Sequence, residues 1–161
     1  NPFCDEVIYK FYDLYQGDIR NILKALSDIV IESGDSTVTG LNYRDALYYF
    51  SRERLRKLRA ELTEEQFKFL EQILKKAGPV NQKSLAAEMR IAPNNVSSYY
   101  FKPLKERGII HEIGKDGKIK HWDLTEHYAP LREYYKDIKK NCEEIEKRIE
   151  EGTKMIQQRL F

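Results

Sequence analysis

Residues 90–124 read RIAPNNVSSYYFKPLKERGIIHEIGKDGKIKHWDL. Pro93 opens a helical pattern at the position where a missing N–H costs nothing, and Gly108 closes it. Two alternating runs follow, IIHEI and IKHWDL, on either side of Lys115-Asp116-Gly117-Lys118. Asp-Gly supplies the positive φ angles of a tight two-residue loop, so the runs predict a β-hairpin. In that register His111 faces Trp122, Glu112 faces His121, and Ile109, Ile113, Trp122 and Leu124 line the inward side. In the helix itself Val96, Tyr100 and Leu104 fall four residues apart. Pro103, inside it, removes one backbone hydrogen bond and is expected to kink it.

Working upstream, Thr63 with Gln66 three residues later marks a helix start, and the helix should bury Phe67, Leu70, Ile73 and Leu74 before Gly78-Pro79. QKSLAAEMR is a short second helix. Residues 61–127 therefore form one unit of three helices and a hairpin. Residues 1–60 form another, all helical. Phe3, Val7, Ile8, Phe11, Leu14 and Tyr15 share a helix face, and after Gly17 a second helix capped by Asp18 carries Ile19, Ile22, Leu23, Leu26, Ile29 and Val30 on one side. The loop GDSTVTG contains a brief extended piece, and a third helix places Ala46, Leu47, Phe50, Leu55 and Leu58 inward. Its basic tail, Arg52, Arg54, Arg56, Lys57 and Arg59, reads as a solvated face joining the two units. In residues 128–161, Leu131, Tyr135, Ile138, Cys142, Ile145, Ile149 and Ile156 fall at heptad spacing, with Gly152 at the vacant place. A long last helix is expected, which either packs on its own chain or pairs two copies into a homodimer.

Charge separates these units further. The chain is 34% charged with a net charge of only +2. Between Lys83 and His121, eight lysines and arginines stand against four acids, a local surplus of four, while each flank is negative by one. A polyanion-facing surface is expected in that segment.

Three helices followed by a two-stranded ribbon resemble the winged-helix family. The resemblance implies that the third helix enters the major groove of duplex DNA and that the hairpin reaches phosphates or a neighbouring groove. It assigns Asn94, Asn95, Ser97, Ser98 and Tyr99 to base edges and Lys102, Lys105, Lys115, Lys118 and Lys120 to phosphates. The opposing reading is that the Asn and Ser residues only cap a helix start and that the lysines decorate a solvated turn.

The stretch YKFYDLYQGDIRNILKALSDIVIESGDSTVTGLNYRDAL resembles the helical lid of AAA+ ATPases, in particular the archaeal origin-recognition (replication-initiator) branch. There a Gly-Asp-x-Arg segment starts a helix whose arginine approaches the ATP phosphates. The resemblance gives that nucleotide-sensing role to Arg20, whose guanidinium is a permanent fork of donors. It also implies ATP and Mg in the full-length protein and a nucleotide-binding core upstream of Asn1, where the chain opens without methionine. No GxxxxGK[ST] phosphate loop occurs in the sequence, so this chain is not expected to be an enzyme by itself.

Other chemistries find little support. His111, His121 and His127 lack the companions of a zinc shell, and no serine sits in a strained strand-to-helix turn. Cys4 and Cys142, without a Cys-x-x-Cys pair, fit free thiols in a reducing, cytoplasmic setting. No run approaches the roughly 20 apolar residues of a membrane span. The expected fold is thus mainly α: a lid-like bundle, a winged helix and a trailing helix. The expected function is DNA binding, with a dimeric transcription regulator or a protein-binding signalling ATPase as rivals.

Overall fold

The computed structural model describes residues 3–33, 43–141 and 147. The described chain is mainly helical with one small three-stranded antiparallel sheet. Three helices come first: α1 (Asp5–Leu14), α2 (Ile19–Ser33) and α3 (Tyr43–Glu61). Exposed Cys4 is the N-cap of α1. Between α1 and α2 the chain reverses through Gln16 and Gly17, at φ 52 and 74. A Cβ on Gly17 would come within 3.0 Å of the Tyr12 hydroxyl, and the left-handed backbone at Gly17 favours glycine. Asp18 caps α2 as expected, its Oδ1 accepting from Asn21 N at 3.2 Å.

Phe3, Val7, Phe11 and Leu14 of the first segment pack with Ala46, Leu47, Phe50 and Leu58 of α3, as their spacing predicts. The α2 stripe differs. Ile22 and Ala25 are buried, whereas Ile19, Val30 and Ile31 are exposed and Leu23 is 61% exposed. The sequence expectation that Ile19, Leu23 and Val30 face a core is therefore corrected: all three are exposed. The GDSTVTG loop and the heptad positions from Cys142 onward lie outside the described residues.

Next come α4 (Glu64–Leu74), β1 (Val80–Asn81) and α5 (Gln82–Met89). Thr63 and Gln66 form the expected capping box, each side chain bonded to the other's backbone N–H at 3.2 Å. Phe69, absent from the expected core, is fully buried beside Phe67, Leu70, Ile73 and Leu74. Asn81 caps α5, accepting from Ser84 N at 2.7 Å. A third helix, α6, starts at Pro93 and ends at Glu106, with Gly108 at φ 67 beyond it.

The middle of α6, Val96–Phe101, is π-helical. Pro103 accounts for this. Its ring crowds the carbonyl of Tyr99 four residues back and offers it no N–H, and widening the turn relieves the clash. The orphaned Tyr99 carbonyl instead accepts from Gln66 Nε2 at 3.1 Å. Five-residue phasing also places Phe101 inward with Val96, leaving Tyr100 partly exposed and stacked on Phe69 at 4.8 Å. Pro103 thus disturbs the helix, as expected, by widening it.

The strands β2 (Ile110–Asp116) and β3 (Ile119–Leu124) form the expected hairpin, and β1 adds a strand too short to read from sequence, giving the order β1-β3-β2. The loop residues are Gly117 and Lys118, one later than expected, with positive φ at Gly117 alone, as a type II′ turn requires. His111 consequently pairs with Asp123 and Glu112 with Trp122, and Ile113 is an extra residue, a β-bulge. Ile110 takes the inward place assigned to Ile113, which is 47% exposed.

A last described helix, α7, covers residues 130–141. It packs on its own chain. Leu131 is fully buried, Tyr135 donates to Glu71 at 2.8 Å, and Arg132 pairs with Asp123 at 2.8 Å. Asp137 meets Arg44 at 3.2 Å and Asn141 donates to Tyr48 at 3.1 Å, so α7 spans both groups of helices.

Candidate nucleic-acid interface

Val96, Phe101 and Leu104 anchor α6 in the core, which turns Asn94, Ser98, Lys102 and Lys105 outward. An open groove of about 520 Å³ runs between this ridge and β3, lined by Ser97, Ser98, Lys102, Lys105, Lys120 and Trp122, with Gln82 and Glu106 at its edges. Five of the ten residues assigned to DNA from sequence therefore meet in one concavity. Trp122 is its floor. The ammonium groups of Lys105 and Lys120 lie 5.7 and 5.9 Å from its ring centroid, within reach of cation–π attraction.

Of the other five, two lie on a different side of the helix. Asn95 and Tyr99 line a different hollow with Thr63, Glu65 and Gln66, on the α4 side of the helix. Asn94, four residues before Ser98, belongs with the outward ridge. Lys118 stands at the hairpin tip without an ion-pair partner among the described residues.

Acids temper the cations. Lys102 approaches Glu106 at 3.9 Å. Glu112 binds Lys120 at 2.8 Å and lies 3.9 Å from Lys115. The Lys120 hydrogen bond, with the charges of Lys120, Lys115 and Lys105, holds the Glu112 carboxyl below the usual carboxylate range. Charge counting placed Glu106 and Glu112 in the segment but could not seat them against particular lysines. Trp122 and Gln82 as groove residues were likewise missed, because Gln82 reaches the groove only through the packing of α5.

In the first region Arg20 is exposed in the first turn of α2, and no ion pair holds it among the described residues. Asp28, on the same helix, accepts from the Tyr49 hydroxyl at 3.1 Å. Much of the basic tail of α3 is engaged. Arg54 lies over Phe50 and Tyr128, Arg59 over Phe67 at 4.5 Å, and Arg56 pairs with Glu53 at 2.9 Å. Arg52 and Lys57 are exposed.

No group of three or more His, Cys, Asp or Glu able to hold a metal occurs among the described residues, and no described helix is long and apolar enough to cross a membrane. No protein-family model matches the chain, and searches of curated proteins and of solved structures find no match either.

Proposed function

We propose that residues 63–124 form a winged-helix module that binds duplex DNA, α6 entering the major groove and the β2–β3 hairpin acting as the wing. The observation that carries this reading is the gathering of Lys102, Lys105 and Lys120 with Ser97 and Ser98 in one groove beside an exposed helix ridge. Lysines there neutralise phosphates and release counterions, which sets affinity without choosing a sequence. Selection falls to Asn94 and Ser98, since Asn matches the paired donor and acceptor of adenine and Ser can donate or accept. Asn95 and Tyr99, on the α4 side, contribute less.

The test is titration of labelled duplex DNA with wild type, Lys102→Ala/Lys105→Ala and Asn94→Ala. The lysine variant should weaken binding to every sequence alike. Asn94→Ala should relax base preference by about 1–3 kcal/mol, the worth of a good base contact, and Asn95→Ala by less. Equal loss from Asn94→Ala and Asn95→Ala would move the interface off the ridge.

For residues 1–60 we infer a lid-like role beside an AAA+ ATPase core of replication-initiator type. Two features support it: Arg20, which is exposed and held by no ion pair among the described residues, and the exposed apolar side chains of α2 at Ile19, Leu23 and Ile31, which would suit a further protein surface. Of ATP and Mg, Arg20 would meet an ATP phosphate, and no group of three or more metal-ligating side chains occurs among the described residues. The coding sequence upstream of Asn1 tests this, a phosphate loop being the expected result.

A further inference from the structure

The bulge at Ile113 does more than bend the hairpin. Side chains alternate across a strand, so one inserted residue moves all that follow to the other face. Continued without it, the Glu112–Trp122 pairing would set Gly114 against Lys120 and Lys115 against Ile119. With it, Lys115 opposes Lys120, on the face that carries Trp122 and borders the α6 groove. Two like charges directly across a ladder repel. Glu112 sits between them, 2.8 Å from Lys120 and 3.9 Å from Lys115.

We propose that Glu112 is a built-in competitor for the phosphate site, holding Lys115 and Lys120 together in the free protein and yielding them when a nucleic-acid phosphate arrives. The inference rests on the duplex-binding reading and adds its regulation by a single carboxylate. Three features support it. All three side chains are partly exposed, so they can exchange partners without opening the core. Lys120 also rests near the Trp122 ring, which keeps its ammonium at the groove when Glu112 lets go. Finally, a carboxylate bridging two ammonium groups presents the same charge and acceptor geometry that a phosphate oxygen pair would bring.

Removing the charge should strengthen binding, the reverse of what loss of a binding residue does. The measurement is fluorescence anisotropy with a short labelled duplex over a salt series, using wild type, Glu112→Gln and Glu6→Gln, a matched charge change on α1. Glu112→Gln should tighten binding roughly two- to tenfold, within the range that two exposed ion pairs span. Its salt dependence should steepen by about one in the logarithmic slope, since no displaced carboxylate is left to take up a cation when the lysines meet phosphate. In a Lys120→Gln background the gain should shrink, because the freed partner is gone. Circular dichroism confirms that the variants keep the fold. Wild-type binding with equal affinity and slope for Glu112→Gln and Glu6→Gln overturns the competitor role alone, as does an undiminished gain in the Lys120→Gln background. Absence of binding by wild type and Glu112→Gln alike removes the duplex reading, and this inference with it.

Discussion

The two halves of this molecule build amphipathic helices alike and finish them differently. In residues 63–124 each apolar stripe meets another: Phe69 and Leu70 of α4, Leu85 of α5, Phe101 and Leu104 of α6, and Trp122 of β3 are all buried. In residues 5–61 the inner faces of α1 and α3 close on each other, yet α2 leaves Leu23 and Ile31 in water, the latter 73% exposed. Periodicity states that a helix has an apolar side. Whether that side is covered depends on what stands opposite, which periodicity does not encode. The first half leaves an apolar strip of α2 exposed, whereas the second buries the stripes of all three of its helices.

That contrast can be broken most forcefully by truncation. Phe101 makes edge contacts with Phe69 and Trp122 at 5.5 Å each, so Phe101→Ala should cost about 3–5 kcal/mol in urea unfolding. Leu23→Ala should change stability by no more than about 0.5 kcal/mol. Comparable losses would mean that α2 is covered after all.

A smaller effect probes how the second half satisfies its own backbone. Gln66 accepts from Thr63 N and donates to the Tyr99 carbonyl, so Gln66→Ala should cost about 1–2 kcal/mol through the lost box and the orphaned acceptor. Pro103→Ala restores an N–H for that carbonyl, and the Gln66→Ala penalty should fall in its presence. A double-mutant cycle by chemical denaturation reads the coupling.

The smallest effect belongs to the first half. Burial, with the nearby Glu53 charge next, pushes the Tyr15 hydroxyl up to about 12, and burial followed by the Asp28 hydrogen bond raises Tyr49 too. The unfolded chain therefore loses these protons first, near pH 10, and stability should decline as pH rises from there toward 12. Tyr15→Phe should flatten part of that decline in thermal melts between pH 9 and 11.

Much of this architecture was legible in the residues. Thr63 with Gln66, Pro93 and Gly108 each mark a boundary through a backbone requirement that few residue types meet. The hairpin followed from Asp116-Gly117, but its register did not, because the loop is Gly117-Lys118 and Ile113 is inserted. Gly114 was the available signal, a glycine interrupting a strand being a common sign of a bulge. Pro103 announced a disturbance in α6. Its outcome, a π turn that brings Phe101 inward, depended on Gln66 taking the stranded carbonyl, a tertiary event. For the site, residue type found the lysines and the Asn and Ser donors, whereas the division between Asn94 and Asn95 needed the helix phase. The pairing of Glu112 with both hairpin lysines needed the bulge.

The central claim is that the ridge of α6 and the groove beside it form a phosphate-binding face for duplex DNA. Its most direct test is the wild-type affinity for a duplex measured from about 50 to 200 mM salt, with Lys102→Ala and Lys57→Ala alongside. The account predicts a linear fall of log affinity with log salt, a slope smaller by about one for Lys102→Ala, and no change for Lys57→Ala on α3. Affinity that is undetectable at the lowest salt, or a slope that Lys57→Ala reduces and Lys102→Ala does not, would contradict it.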